Sequence, residues 1–144
     1  MFKGRESYFI RLPALKRLFM QVKTDTKEKF HVITVTEPSL SADMAAELTD
    51  LLVPYLQNVV RNVVLNLKEL QSIDTIAGEN LVKTQQKFYE NNASFVICEM
   101  QKPVEEFLDS INLLEMMNST PTENEAADIV MMEEIEREFL DEEK

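Results

Sequence analysis

The chain has 144 residues, 44% of them hydrophobic, which is enough for one well-buried core and too few for two ordinary domains. Its 26 acidic and 15 basic residues give a formal net charge of -11, which disfavours binding to a phosphate backbone and favours protein partners. The single cysteine, Cys98, excludes a disulfide within the chain, and no stretch approaches the ~20 apolar residues of a membrane span. We therefore expect a cytoplasmic protein that neither crosses a membrane nor binds nucleic acid.

Residues 1–19 differ from the rest of the chain because they carry five basic residues and one acidic residue. The apolar residues from Leu12 to Phe19 have a spacing that allows a short amphipathic helix. This segment either packs on the domain or a partner, or is a dispensable stretch before a domain that starts at Met20. We interpret it as a basic N-terminal extension, followed by one domain over residues 20–140 and an acidic tail over 141–144.

Two strand patterns open the domain. Val22 to Thr24 alternates weakly, and the run FHVITVT alternates clearly after a charged turn, which predicts an antiparallel hairpin. Ser41 is the predicted N-cap of a first helix that reaches about Gln57, and Pro54 should kink or shorten that helix. The short apolar run from Val63 to Leu67 predicts an inner strand.

The second half of the chain alternates helices with strands. We predict a second helix from about Ile76 to Asn91, a strand over Ser94 to Cys98, and a third helix that begins at Pro103. Met116 and Met117 are assigned to a short fifth strand. Because parallel strands need crossover connections, this order predicts an α/β sandwich with a mixed, mostly parallel sheet of four or five strands and about four helices packed on it.

The last predicted helix runs from Thr122 or Glu123 to about Leu140. Its apolar positions predict that Ile129, Met132 and Ile135 pack inward on the sheet. As an alternative, part of this methionine-rich stripe contacts a partner or a second copy of the chain, while the acidic residues set partner choice.

Catalytic and cofactor sites are disfavoured by the residues that the chain lacks. Gly4 and Gly78 are the only glycines, so neither a phosphate-cradling GxxxxGK loop nor a GxGxxG turn exists. His31 and Cys98 are the only histidine and cysteine, which is too few for a His/Cys metal site, and both are interpreted as structural residues. We therefore expect no enzyme activity, no cofactor and no metal.

The segment Arg61 to Leu81, RNVVLNLKELQSIDTIAGENL, places a buried-type strand, a polar turn and a helix start within about twenty residues. Together with the hairpin, the helix after Ser41, the FVICEM strand and the helix after Thr-Pro-Thr, it resembles the STAS domain, the family of bacterial anti-sigma factor antagonists. The resemblance extends from about Met20 to about Leu140. It implies a STAS-like sandwich that acts as a non-enzymatic protein-interaction module.

In STAS antagonists the turn before the second helix reads D-S-S-G or a close variant. The hydroxyl residue before the glycine is phosphorylated by the anti-sigma kinase, and the unmodified form captures that kinase. Here the turn reads Asp74, Thr75, Ile76, Ala77, Gly78. Without an insertion, Ile76 stands where the family has the phosphoacceptor. The resemblance therefore implies a partner-binding turn at 74–78 in which the usual phosphoacceptor is replaced.

Thr75 and Ser72 are the nearest hydroxyl residues to the replaced phosphoacceptor, so they are the candidates for phosphorylation. Asn66, at the end of a strand where relatives often place Asp or Asn, is a further candidate for partner binding. A phosphate would add roughly -1.5 to -2 charges and could break an interface, whereas an apolar Ile76 favours persistent contact.

Two functions follow from the resemblance. The first is an antagonist that docks on an anti-sigma factor, a serine kinase, through the turn and helix at 74–90. The alternative is a STAS-like accessory or scaffold subunit of a transporter or signalling complex that has no phospho-switch. Both functions are compatible with a homodimer.

Overall fold

The computed structural model describes residues 20–142. In this part of the chain the strands are β1 (Val22–Thr26), β2 (Phe30–Val35), β3 (Ser39–Leu40), β4 (Asn62–Asn66), β5 (Ser72–Ile73), β6 (Phe95–Cys98) and β7 (Ser119–Thr120). The helices are α1 (Ala42–Leu52), α2 (Thr75–Glu90), α3 (Lys102–Ser110) and α4 (Glu123–Glu142), and short 3-10 helices cover Val53–Gln57 and Leu114–Met116. The helix predicted within residues 1–19 lies outside the described residues.

The main sheet has five strands in the order β1-β2-β4-β6-β7. The β1 and β2 strands pair antiparallel, and the other neighbours pair parallel. The predicted hairpin and the mixed, mostly parallel sheet are therefore confirmed. The predicted inner strand is also confirmed, since β4 lies between β2 and β6 and is buried along its whole length.

Side chains of the inner strands alternate between two cores on opposite faces of the sheet. Val63 and Leu65 point into the larger core, which α1, α2 and α3 cover. Val64 points into the smaller core, which Ala126 and Val130 of α4 cover. This two-sided burial explains why β4 shows an apolar run rather than the polar alternation of a half-exposed strand.

The helix boundaries follow local signals in the sequence. The Ser41 side chain accepts a hydrogen bond from the Met44 N–H and caps α1, as predicted. Pro54 lies in the 3-10 helix that follows α1, so the regular helix is shortened to Leu52. The second helix begins at Thr75, within a residue of the prediction.

Two predictions in the last third of the chain are wrong. The fifth strand is β7 rather than Met116 and Met117, because the Met117 N–H bonds back to the Leu114 carbonyl and its side chain packs in the larger core. Met132 and Ile135 do not pack inward: each is 61% exposed on the outer side of α4. Ile129 is partly buried against the smaller core.

His31 and Cys98, which we interpret from the sequence as structural residues, are both buried. The His31 ring bonds to Thr26 Oγ1 at 2.9 Å and to the Val60 carbonyl at 3.0 Å, and its centroid lies 4.5 Å from that of Tyr55. Cys98 is fully buried, and burial, with the nearby acids Glu123 and Glu99, raises the pKa of its thiol to about 12. A thiol in this state is a poor nucleophile.

Candidate functional site

The turn at 74–78 lies where two helices begin side by side. The two-residue strands β3 and β5 pair parallel, with Ser39 opposite Ser72 and Leu40 opposite Ile73. Each of these strands leads directly into a helix, β3 into α1 and β5 into α2. The small β3-β5 sheet was not predicted, and it fixes the two helix N-termini next to each other.

Asp74 joins the two helix N-termini. Its Oδ1 accepts a hydrogen bond from the Ala77 N–H at 2.8 Å and caps α2, and its Oδ2 accepts one from the Ala42 N–H of α1 at 3.1 Å. A single carboxylate thus satisfies a free backbone donor on each helix and lies near the positive ends of both helix dipoles. The sequence predicted a helix start close to Asp74 but not the bond from Asp74 to α1.

Asp74, Thr75 and Ile76 are the accessible residues of the turn, and Ser72 is accessible just before it. Ser72 is exposed in β5, and Thr75 is exposed at the first position of α2. Ile76 follows Thr75 and is 54% exposed, which is unusual for an isoleucine. The turn and the strand before it therefore present one carboxylate, two hydroxyls and one apolar side chain on a rigid support.

Ala77 and Gly78, the other two residues of the turn, are buried. A Cβ atom at Gly78 would lie 2.9 Å from methyl carbons of both Leu108 and Leu113, so the glycine allows α2 to approach α3 and the loop after it. These two residues therefore position the turn, and their side chains do not form its surface.

Asn66 is also buried, and its side chain is directed away from the turn. Its Nδ2 donates to Glu123 Oε1 at 2.9 Å, and its Oδ1 accepts from the Lys68 N–H at 2.9 Å. The contact with Glu123 fixes the start of α4 on the sheet. The structure thus does not bring Asn66 together with Asp74, Thr75 and Ile76 in one surface.

A second polar cluster lies near the other end of the parallel strands and fixes the C-terminal half of α4. Arg137 Nη2 donates to Asn62 Oδ1 at 3.1 Å, to Ser94 Oγ at 3.0 Å and to Glu134 Oε1 at 3.0 Å. Burial alone would raise the pKa of Glu134, but hydrogen bonds from Asn62 and Arg137 and the charge of Arg137 outweigh it and lower that pKa.

Glu133 extends this cluster to α2. It accepts hydrogen bonds from the Tyr89 hydroxyl at 2.8 Å and from the Ser94 hydroxyl. Burial, together with the hydrogen bond to Glu133 and its charge, raises the pKa of Tyr89 to about 12. Sequence reasoning missed the whole cluster, because its members come from distant parts of the chain and no local spacing connects them.

A groove of about 780 Å³ borders the Arg137 cluster. Its charged lining mixes three bases with four acids: Lys29, Arg61, Arg137, Glu28, Glu134, Glu138 and Asp141. The lining of the groove thus carries both signs of charge. Across residues 20–142, no group of three or more His, Cys, Asp or Glu side chains is arranged to hold a metal ion, and no helix is long and apolar enough to span a membrane.

The model of the STAS domain family matches residues 21–126. Because the match spans more than half of the chain, the protein belongs to the STAS domain family. A search of curated protein sequences gives no match.

Solved structures share the fold at low sequence identity. An anti-sigma factor antagonist from Mycobacterium paratuberculosis aligns with a TM-score of 0.66 and 13% identity, covering 78% of this chain and 94% of that chain. The antagonist SpoIIAA in its unphosphorylated form aligns with a TM-score of 0.61 and 15% identity, covering 77% and 96%. A murine anion transporter of the Solute Carrier 26 family aligns at 0.65 with 10% identity, covering 88% of this chain and 24% of the transporter. The predicted STAS-like sandwich is confirmed.

Proposed function

We propose that this chain is a cytoplasmic, non-enzymatic interaction module of the anti-sigma factor antagonist type. It docks on an anti-sigma factor of the serine kinase class through Asp74, Thr75, Ile76 and the exposed side of α2. The observation that carries this proposal is the 54% exposed Ile76 in the first turn of α2. The likeness to solved anti-sigma factor antagonists supports the same class of partner.

The rigidity of the turn suits a binding surface. Asp74 is bonded to two helices and the residues beneath the turn are buried, so Ile76 is presented without a large loss of loop entropy on binding. An apolar residue that leaves water at such a contact stabilises the complex, and no charge must be desolvated with it. We therefore propose that contact with the partner is persistent in the unmodified protein.

Thr75 is the proposed position of a phospho-switch if the chain retains one, and Ser72 is the second candidate. Both hydroxyls are exposed, Thr75 directly before Ile76 and Ser72 four residues before it. A phosphate on Thr75 would put two negative groups side by side, because the Asp74 carboxylate precedes it. Such a charge at the contact would weaken docking through desolvation and through repulsion from acidic groups of the partner.

The experiment compares three full-length tagged proteins as baits in native lysate of the source cells: the wild type, Ile76→Asp and Leu51→Asp. Leu51 is 45% exposed on α1 and provides the matched control, because the same substitution adds the same charge away from the turn. We expect the wild type and Leu51→Asp to recover a kinase-like anti-sigma factor. We expect Ile76→Asp to lose it, since a new unpaired carboxylate at the contact costs several kcal/mol. Binding that survives Ile76→Asp would refute this interface.

Phosphorylation is tested with the recovered kinase and ATP. Stoichiometric phosphate on Thr75, absent from Thr75→Val, would make the chain a switching antagonist. If the wild type takes up no phosphate while Ile76→Asp loses binding, the chain is a constitutive binder.

The alternative function is an accessory or scaffold subunit of a transporter or signalling complex. The observation that favours it is the alignment of 88% of this chain with part of a murine anion transporter. In that case the same baits would recover a membrane transporter or one of its subunits, and no anti-sigma factor.

A further inference from the structure

The strand β1 forms one edge of the main sheet, and no strand within residues 20–142 pairs with its outer side. Its inner side pairs with β2 in a regular register from Val22 to Thr26. The side chains from Lys23 to Thr26 are exposed, so no helix covers this part of the strand. An edge strand of this kind offers free backbone hydrogen-bonding groups to a further strand.

The hydrogen bonds at the two ends of β1 show which of its backbone groups are free. The Gln21 carbonyl accepts a bond from the Thr36 N–H at 2.9 Å, and the Lys27 N–H donates to the Phe30 carbonyl at 2.8 Å. The direction of the backbone groups alternates along an antiparallel strand. Residues 21, 23, 25 and 27 therefore bond to β2, and residues 22, 24 and 26 direct their N–H and C=O groups outward.

We propose that two copies of this chain pair antiparallel through β1 and join their sheets edge to edge. The two-fold axis lies at Thr24, so Thr24 faces Thr24 of the second copy and Val22 faces Thr26 of the second copy. In this register every outward N–H and C=O group of residues 22, 24 and 26 meets a complementary group. Threonine pairs across strands are also favourable on the side-chain level.

The charges on β1 fit this register. Lys23 of each copy lies opposite Asp25 of the other, in a non-hydrogen-bonded pair, where side chains approach most closely. Asp25 also contacts Lys27 Nζ of its own chain at 3.0 Å, and the two oxygens of a carboxylate accept both lysines. A shift of the pairing by two residues would place Lys23 opposite Lys23 or Asp25 opposite Asp25. A shift by one residue would misalign the free backbone groups.

The local charge also favours contact between copies at β1. The net charge of -11 makes an approach through most of the surface repulsive. Residues 22–30, by contrast, contain three lysines and two acidic residues, so two copies meet there without an excess of negative charge. An edge of five residues is a small contact, so the dimer is weak and depends on concentration. It uses no residue of the turn at 74–78, and it is therefore independent of the proposed docking function.

The test is sedimentation equilibrium of the full-length protein at concentrations up to about 1 mM, which covers weak association. We expect the wild type to dimerise. Lys23→Glu and Asp25→Lys should each raise the Kd of the dimer about tenfold or more, because each turns both symmetric pairs into like-charge pairs. An equal mixture of these two variants should recover dimerisation, since opposite charges again face each other in the mixed dimer. Lys68→Glu and Asp109→Lys make the same charge changes at exposed residues away from β1 and should dimerise like the wild type.

Thr24→Pro tests the backbone contact separately. Proline removes the outward N–H of this residue and leaves the bonds between β1 and β2 in place, and edge strands tolerate it there. We expect this variant to be monomeric with an unchanged circular dichroism spectrum.

Three outcomes would overturn the proposal. The first is a wild type that stays monomeric over the whole concentration range. The second is dimerisation that persists in Thr24→Pro or in both charge variants, because the contact would then lie elsewhere. The third is a mixture of Lys23→Glu and Asp25→Lys that stays monomeric, because the antiparallel register would then be wrong. Circular dichroism of each variant reports whether the fold is intact, and the exposure of both side chains predicts that it is.

Discussion

Asp74 is expected to stabilise the fold more than an ordinary helix cap, because its two oxygens serve two helices. The perturbation is Asp74→Ala, which removes the bonds to the Ala77 and Ala42 N–H groups at 2.8 and 3.1 Å. Loss of one capping side chain costs typically ~1 kcal/mol, and each helix end adds a few tenths through its dipole. The turn is exposed, so we expect a total loss of about 2–3 kcal/mol in the free energy of unfolding.

The assay is urea unfolding followed by circular dichroism, with two matched variants. Asp74→Ser retains one acceptor oxygen and a good N-cap, so it should lose about half as much as Asp74→Ala. Ser41→Ala removes a single, longer cap bond of 3.4 Å to the Met44 N–H and should cost less than about 1 kcal/mol. In thermal unfolding, Asp74→Ala should lower Tm by roughly 6–10 °C for a domain of this size.

Equal losses in Asp74→Ala and Ser41→Ala would refute the double cap, and so would an Asp74→Ser variant as stable as the wild type. The same series separates two roles of Asp74. Asp74→Ser should keep most of the fold, so weaker partner binding in that variant at a temperature well below its Tm would reflect a lost contact with the partner.

Three further predictions concern packing and reactivity. Gly78→Ala should lower stability by about 1 kcal/mol in urea unfolding, because the new methyl 2.9 Å from Leu108 and Leu113 outweighs the gain in helix propensity; a stabilised variant would contradict this. Arg137→Met should cost about 2–3 kcal/mol in the same assay, because it removes three hydrogen bonds from a charged group while keeping an unbranched apolar stem; no loss would mean that α4 is not held by this cluster. Cys98 should react with Ellman's reagent at pH 8 far more slowly in the native protein than in guanidinium chloride, and equal rates would show that the strand is accessible.

Local patterns were sufficient to predict most of the fold. The starts of α1 and α2 follow from capping residues at Ser41 and Asp74, and the burial of β4 follows from its unbroken apolar run. These features depend on residues that are neighbours in the sequence, so they can be predicted from one sequence. In the turn at 74–78, the exposure of Thr75 and Ile76 is likewise consistent with positions at the start of a helix.

Features that depend on distant residues were missed. The β3 and β5 strands have two residues each, too few for any periodic pattern, and they pair across 33 positions of sequence, from Ser39 to Ser72. The bond from Asp74 to Ala42 spans 32 positions. Asn66 was placed at the correct end of its strand, but its side chain is directed by Glu123 of α4, which no local signal indicates.

The orientation of α4 shows why apolar spacing alone does not decide which side of a helix is buried. Turning the stripe of Met132, Ile135 and Phe139 inward would gain at most about 1.5–3 kcal/mol for each side chain. The same rotation would take Arg137 and Glu133 away from the buried Ser94 hydroxyl, and a buried group left unpaired costs about 1–3 kcal/mol. It would also break the bonds of Asn62 to Arg137 and Glu134. It would also replace Ala126 and Val130 with bulkier side chains over a sheet face that is already filled. Hydrophobicity alone therefore does not settle the orientation. The bonds to buried polar groups of the sheet and the fit of Ala126 and Val130 together oppose the rotation, and the apolar stripe stays exposed.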